Sequence, residues 1–282
     1  MTSSFTGTRS DSNLLRAEFP AGTLRVLQLT DTHLYANPVG TLLGINTLDS
    51  FQRVIDHFRS CNWPLDLLLA TGDLVHDASP EGYRRVGDIL ARFDVPVFCL
   101  PGNHDVPQTM RKYLKNDGVH TDSVIDHGEW RFVMLDSVIP GAEGGHLSKL
   151  ELALLDKALQ TTDRHTLVCM HHQPVNVGSA WIDTMAINNP APLFDIIDRH
   201  PHVRGILWGH VHQTFEGLHG KVRLMASPST CVQFAPDIDD FKVDEEPPGF
   251  RLLALLPDGA IRSEVVRIDD IPQGLELASS GY

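Results

Sequence analysis

No stretch of this 282-residue chain is apolar for long enough to cross a bilayer. Its apolar runs, such as Leu252–Leu256, end after a few residues, whereas a membrane-spanning helix needs about 20. Met1–Asp11 is polar and rich in Ser and Thr, without the apolar segment of a secretory signal. Cysteine is scarce: Cys61, Cys99, Cys169 and Cys231 are far apart and form no Cys-x-x-Cys pair. That excludes a disulfide framework or a thiolate metal site and leaves four buried free thiols. Positive charge is also short, since 23 Lys and Arg against 36 Asp and Glu give a net charge of −13. Such a balance argues against nucleic-acid polymers and anionic membranes as partners. It leaves a small anionic substrate open, because bound cations dominate the field of their own site. Repeats and low-complexity tracts are absent. What remains is a soluble, cytoplasmic protein, long enough to bury its core without cross-links; nothing in the sequence fixes its oligomeric state.

Hydrophobic periodicity divides the chain. Residues 1–20 read as a loose lead-in to a single domain over 21–282, with a hairpin region from about 214. Strands are expected over Leu24–Leu29, Asp66–Ala70, Val95–Leu100, Thr166–Met170 and Arg204–Trp208. Helices are expected over Leu48–Phe58 behind an N-cap at Thr47, from Ser79-Pro80 to about Phe93, over Ser148–Leu159, and over Ala191–Asp198. Ser148 and Glu151 stand at capping-box spacing. Hairpins are expected from Ser123–Asp126 with Trp130–Leu135, from Thr214–Leu218 with Val222–Ala226, and from Arg251–Leu256 with Ala260–Arg267. The acidic, proline-containing Pro236–Gly249 reads as a loop. Alternating strands and helices followed by hairpins predict an α/β or α+β domain with a sheet-on-sheet core.

Five short segments carry the chemistry: Asp31-Thr32-His33, Gly72-Asp73, Gly102-Asn103-His104-Asp105, His171, and Gly209-His210-Val211-His212. Each follows a short apolar run, and each supplies the oxygen or imidazole donors that suit divalent transition metals. Asp31 and His33, two residues apart, share a face if the strand runs through them, and His210 and His212 repeat that spacing. Asp73 has two oxygens and can bridge two ions, and Gly72 before it frees the backbone to turn. Asn103 offers a neutral oxygen, which limits the negative charge of the site. With Asp73 shared, Asp31, His33 and one histidine complete one ion, while Asn103 and two histidines complete the other. Two ions about 3.5–4 Å apart can hold a bridging water and lower its pKa to about 7. The resulting hydroxide attacks phosphorus in line while the ions neutralise the equatorial oxygens. His104 is the candidate to stabilise or protonate the leaving oxygen, and Asp105 to orient that ring and favour its cation.

Other residues carry blander readings. His172, beside His171, is expected to support the ligands rather than join them, because strand neighbours point to opposite faces. His57, His120, His127, His165, His200, His202 and His219 read as surface or turn residues. His76 lies close behind Asp73, and Asp77 reads as a cap for the helix from Ser79. Trp181 and Phe234 could stack on a base, although core or rim packing is the preferred reading.

The ordered set Asp-x-His, Gly-Asp, Gly-Asn-His-Asp, His and Gly-His-x-His resembles the calcineurin-like metallophosphoesterases, over Leu24 to His212. More narrowly, Thr30–Leu34, Leu42–Thr47, Ala70–Leu74, Leu100–Asp105, Leu135–Ser137, Arg164–Leu167, Ser227–Phe234 and the Ser280-Gly281-Tyr282 end resemble the bacterial class III 3′,5′-cyclic AMP phosphodiesterases. The resemblance implies a four-layer α/β/β/α sandwich with two metals at one rim. It implies Asp31, His33, Asp73 and His212 on one metal, and Asp73, Asn103, His171 and His210 on the other. Iron or manganese is then expected, with zinc or cobalt as alternatives. The nucleotide phosphate would lie near His33, Asp73, Asn103, His104 and His212, and the reaction would open 3′,5′-cyclic AMP to 5′-AMP. Two other readings compete: an esterase of broader range on the same scaffold, acting for example on glycerophosphodiesters, phosphomonoesters or 2′,3′-cyclic nucleotides, and a non-catalytic interaction scaffold. The second should have lost ligands, and here the pattern is complete.

Overall fold

A computed structural model describes residues 14–281. Two six-stranded sheets form the centre. The first runs, in spatial order, β16 (Ile261–Arg267), β15 (Gly249–Leu255), β1 (Leu24–Leu29), β4 (Leu67–Thr71), β5 (Val97–Leu100) and β6 (Val119–His120). The second runs β11 (Phe215–His219), β12 (Val222–Ala226), β10 (Val203–Trp208), β9 (His165–Cys169), β8 (Trp130–Met134) and β7 (Val124–His127). Strands β1, β4, β5 and β6 are parallel neighbours, as are β8, β9, β10 and β12, and antiparallel strands close three of the four sheet edges. Two short ribbons, β2 (Thr41–Leu42) with β3 (Ile45–Asn46) and β13 (Gln233–Phe234) with β14 (Val243–Asp244), sit outside the sheets.

Side-chain alternation builds the layers. Along β1 and β4, Val26, Leu67 and Leu69 point into a core shared with Phe132, Leu167, Leu207 and Met225 of the second sheet. Leu27, Leu29, Leu68 and Ala70 point the other way, against Phe51, Val54 and Phe58 of α1 (Thr47–Ser60) and Tyr83 and Val86 of α2 (Pro80–Leu90). Met110 of α3 (Pro107–Tyr113) joins the same layer. Behind the second sheet, Val168, Ile206 and Trp208 pack on Leu155 and Leu159 of α4 (Lys149–Gln160), Ile182 of α5 (Ala180–Asp183), and Leu193 and Ile197 of α6 (Pro190–Ile197). The order is therefore helix, sheet, sheet, helix. Strands buried on both faces explain why Leu67–Ala70 is a continuous apolar run.

Several boundaries differ from the sequence reading. The N-cap of α1 is Asn46, not Thr47, and its side chain accepts from the Asp49 N–H at 2.8 Å. Ser148 caps α4 by accepting from the Glu151 N–H, but the Glu151 carboxylate does not return the bond; it accepts from the Asp136 N–H at 3.0 Å. Ser79 itself caps α2, and Asp77 braces Ser79 and the Ala36 N–H. The expected loop Pro236–Gly249 contains β14. Of the expected loose lead-in, residues 1–13 lie outside the described residues, whereas Leu14–Arg16 form a tight 3-10 turn. Leu14 is buried there, and its N–H donates to Glu264 on β16 at 2.7 Å. Cys99, Cys169 and Cys231 are buried free thiols as read; Cys61 is only half-buried. No helix among the described residues is long and apolar enough to cross a membrane.

The inter-sheet core holds the two halves of the molecule in register, so Leu207→Ala should lower stability by about 2–5 kcal/mol. Urea unfolding followed by circular dichroism measures this, and a loss below about 1 kcal/mol would contradict a packed sheet-on-sheet interface.

Candidate metal centre

Every candidate ligand lies just beyond the C-terminal end of a parallel strand, where open α/β sheets gather ligands. Asp31 and His33 follow β1, Asp73 follows β4, and Asn103 follows β5; His171 follows β9, and His210 and His212 follow β10. The two sheets thus supply opposite halves of one cluster. Three groups of potential ligand atoms result, each within 4.8 Å: Asp31–His33–His212 and Asp73–His171–His210 are fully buried, and His33–His76–His104 is buried only at His33.

The expected geometry of the paired motifs was wrong in detail. Asp31 and His33 do not continue β1 as an extended strand, and His210 and His212 do not continue β10. All four are left-handed, with φ of 53°, 44°, 64° and 49°, and Asp73 joins them at 50°. Half of the ten left-handed non-glycine residues described are therefore candidate ligands. Asp and His tolerate this region better than most residues, yet each such residue costs about 1 kcal/mol or more and persists only where the surroundings enforce it. Here the backbone enforces it. Asp31 N–H donates to Gly72 O at 3.0 Å, His33 N–H to Asp73 O at 2.9 Å, and His210 N–H to both oxygens of Asp31 at 3.1 and 3.2 Å. Gly72, at φ +97°, is needed because a Cβ there would run into the His171 ring.

Lone pairs converge in the cluster. His171 Nδ1 donates to Thr71 O and His212 Nδ1 to Val232 O, each at 2.9 Å. Those carbonyls fix the tautomers and aim both Nε2 lone pairs inward, the arrangement that orients metal-ligating histidines. His212 Nε2 lies 3.2 Å from His33 Nε2 and 3.4 Å from Asp31 Oδ1. His171 Nε2 lies 3.1 Å from Asn103 Oδ1 and 3.3 Å from Asp73 Oδ2. Donor atoms around one ion, with bonds of about 2.0–2.2 Å, stand about 3.0–3.5 Å apart. Asp73 Oδ2 and both ring nitrogens of His210 are buried with no hydrogen-bond partner, and such groups are costly unless something coordinates them. Burial pushes His33 and His210 well below the usual imidazole range, outweighing the pull of Asp73, and so keeps them in the neutral form that coordinates metal. Burial alone would raise Asp73, but His171, His104 and His33 prevail and hold its carboxyl far down. Burial likewise opposes charge on His171, yet Asp73 and Asp31 hold it up at about 9. A cation placed between Asp73 and His171 displaces that proton. The donor set fits a pair of transition-metal ions.

The remaining candidates divide. His172 is spent elsewhere, bonded to Ser137 Oγ at 2.7 Å and Glu143 O at 3.1 Å, which separates it from His171. His104 lies at the rim, its N–H donating to Asp73 Oδ1 at 2.9 Å and its ring edge-on to His33 at 4.9 Å. Asp105 does not orient the His104 ring. Its buried carboxylate instead accepts from the N–H groups of Leu74, Val75 and Gly102 and from the Tyr83 hydroxyl, at 2.9–3.1 Å. Burial and the nearby charge of Asp73 push it up to about 6, and its place is to clasp the β4 and β5 loops together. Phe234 is buried and stacks on His212 at 4.4 Å, whereas Trp181 lines an open cavity next to the centre. None of His57, His120, His127, His165, His200, His202 and His219 is buried or reaches the centre.

Three contributions were missed in the sequence. His76 places Nδ1 3.1 Å from His33 Nδ1 and stacks on His104 at 4.4 Å. Ser229 donates to Asp31 O at 2.8 Å, and the adjacent Thr230 N–H donates to Thr30 O. Tyr83 reaches the site from α2 through Asp105. A histidine three residues behind Asp73 was an available signal; the Ser229 contact joins chain segments about 200 residues apart, and the Tyr83 contact joins a helix to a loop 22 residues on.

The family description "Calcineurin-like phosphoesterase" matches residues 24–214. The chain belongs to that family. It is 40% identical over 258 residues to the 3′,5′-cyclic adenosine monophosphate phosphodiesterase CpdA of Pseudomonas aeruginosa, covering 91% of this chain and 94% of that one. It is 39% identical over 261 residues to the CpdA of Escherichia coli strain K12, covering 92% and 95%. Among solved structures, a dimetal phosphatase from Danio rerio superposes with a TM-score of 0.58 at 15% identity, covering 86% of this chain and 98% of that one.

The Asp105 clasp generates a stability test. Asp105→Ala strands three backbone N–H groups, each worth about 1–3 kcal/mol when buried and unpaired. Urea unfolding should register a loss of about 3 kcal/mol or more; a neutral result would remove Asp105 from this structural role.

Proposed function

We propose that this protein hydrolyses 3′,5′-cyclic AMP to 5′-AMP, with Asp31, His33, Asp73 and His212 holding one metal ion and Asp73, Asn103, His171 and His210 the other. The observation that carries the reading is the convergence of unpartnered oxygen and nitrogen lone pairs from both sheets on Asp73. The relatives named as cyclic AMP phosphodiesterases, matched over more than nine-tenths of this chain, supply the substrate. An all-oxygen-and-imidazole set without thiolate suits iron or manganese, with zinc or cobalt as alternatives. When bound, such a pair of ions supplies Lewis acidity, which makes water acidic near pH 7 and offsets phosphate charge.

The chain's own residues do the rest. Asn103 contributes oxygen without adding charge, which keeps the field at the phosphate positive. His33, Asp73, Asn103, His104 and His212 surround the position assigned to the phosphate. Water adds to phosphorus and releases one proton to solvent as the P–O3′ bond breaks; the departing O3′ takes up the proton held by the His104 imidazole, which solvent then restores. His76, packed against both His33 and His104, holds the two rings in place. The cavity beside the centre is lined by Asn103, His104, Glu143, Trp181, Met185 and His210, among others, and no described lining residue is Lys or Arg. Positive charge for the phosphate would therefore come from bound metal. The unpaired cysteines suit a reducing compartment, consistent with the cytoplasm.

Metal analysis paired with a substrate panel tests this: cyclic AMP, cyclic GMP, 2′,3′-cyclic AMP, an aryl phosphodiester and an aryl phosphate. Cyclic AMP should be converted to 5′-AMP; much faster turnover of the aryl esters or of 2′,3′-cyclic AMP would move the assignment to the broader esterase. Asp73→Ala should lose both metals and all turnover, so retention of two metals per chain contradicts the shared carboxylate. His104→Ala should keep its metals and slow cyclic AMP hydrolysis by about 100-fold or more. It should slow the aryl diester much less, because a nitrophenolate leaves without a proton; equal losses would remove His104 from proton transfer.

A further inference from the structure

The segment after β16, from Asp269 to Gly281, has no regular secondary structure and is mostly exposed. It nevertheless takes a defined path. It leaves the outer edge of the first sheet, crosses the β2–β3 ribbon, and ends beside the metal centre. Three contacts fix the crossing. The Glu276 N–H donates to Leu43 O at 3.0 Å. Leu275 packs against the cluster of Leu42, Ile45, Val232 and Phe234. Gly44 and Gly274, with φ of +82° and +102°, meet backbone to backbone. A Cβ on Gly274 would sit 2.6 Å from Gly44 O, and one on Gly44 would run into Gly274 O. Both positions need glycine for two separate reasons, conformation and space.

Beyond this seat, Ser280 and Gly281 form one wall of the cavity of about 250 Å³ that also contains Asn103, His104 and His210. Trp181, Met185 and Phe241 supply its apolar side, and Glu143 its only carboxylate among the described lining residues. An ester whose phosphorus lies at the metal centre projects the rest of the molecule into this space. Trp181 is held there by edge-to-face contacts with Phe234 and Phe241 at 5.1 and 5.0 Å. It presents a rigid aromatic surface of the kind that receives flat apolar groups.

We propose that the strap 269–281 is the wall against which the nucleoside part of the substrate packs, and that the Gly44–Gly274 contact seats it. The strap thereby favours nucleotide diesters over esters of other shapes, while the metal centre, built from other elements, treats all phosphodiesters alike. This inference rests on the cyclic nucleotide reading given above. It also accounts for the Leu42–Thr47 string, which the chemistry of the centre leaves unused.

Two full-length variants test it. Gly274→Val unseats the strap, and Ser280→Trp fills the cavity from the wall. For wild type and both variants, kcat and KM are measured on cyclic AMP and on bis(4-nitrophenyl) phosphate, with metal content as the check on folding. Both variants should raise KM for cyclic AMP and lower the ratio of kcat/KM for cyclic AMP to that for the aryl diester by about tenfold, as expected when binding common to ground and transition states is lost. A binding readout stands apart from turnover: a glutamate-specific protease cuts at the exposed Glu276. At ten times its Kd, 5′-AMP should slow that cut in the wild type by about tenfold. Unchanged selectivity in both metal-replete variants, or cutting indifferent to 5′-AMP, overturns the strap as a nucleoside wall. A wild type that cleaves the aryl diester but not cyclic AMP overturns the substrate reading itself, and the nucleoside assignment of the wall with it.

Discussion

Asp73 is the point on which the two halves of the molecule close. It stands at the end of β4 in the first sheet, yet His171 approaches its Oδ2 from the second sheet at 3.3 Å and His104 holds its Oδ1 from the β5 loop. Gathering so many polar side chains away from water costs free energy. Left-handed backbone at five candidate ligands adds about 1 kcal/mol or more each. Something outside the site must supply that free energy. The inter-sheet core does so, together with the hydrogen bonds that tie the rims: Gln28 to Thr71 within the first sheet and to Trp208 O in the second, His210 N–H to Asp31, and the four donors gathered by Asp105. A rigid sandwich is thus a condition for the chemistry, because a small slip of one sheet would open every cross-sheet donor pair at once.

Much of this could be read along the chain. Strands buried on both faces, helices opened by Ser79-Pro80 and Ser148, and terminal hairpins follow from periodicity and capping, since these are local effects. The candidate ligands stood out because metal donors are few in kind and each followed a recognisable strand. The parts that were not legible are those set by directions rather than spacing. An i, i+2 pair shares a face only in extended backbone, and the left-handed turns at Asp31, His33, His210 and His212 place these pairs by a different route. Asp105 sits beside His104 in sequence but turns its carboxylate into the β4 loop, where three backbone N–H groups outcompete one imidazole. The choice between His171 and His172 is decided by Ser137 and Glu143, which occupy both nitrogens of the second ring.

The candidate metal centre and the elements that border it come from different parts of the chain. A dimetal phosphatase at 15% identity shares the fold, and a fold of that generality carries no statement about which ester is cleaved. What could distinguish a nucleotide must lie outside the seven candidate ligands, in the elements that border them. Here those elements are the β2–β3 ribbon, the Trp181 helix, the Phe241 loop and the strap after β16. They converge on one apolar cluster around Leu42, Ile45, Val232 and Phe234, and Phe234 in turn stacks on His212. The wall of the cavity and one face of the centre therefore share a packing surface.

Charge completes the argument. The chain carries −13 overall, and the cavity presents Glu143 without Lys or Arg among its described lining residues. A phosphodiester bears one negative charge and a monoester up to two, so a cavity of this sign opposes the monoester product more than the diester substrate. The same feature discourages polyanionic chains, whose neighbouring phosphates would lie against an acidic surface with no ions to offset them. Selectivity for a small, singly charged, cyclic ester then needs no dedicated cationic pocket. Positive charge confined to bound metal, an apolar wall for the rest of the molecule and the Glu143 carboxylate would together suffice.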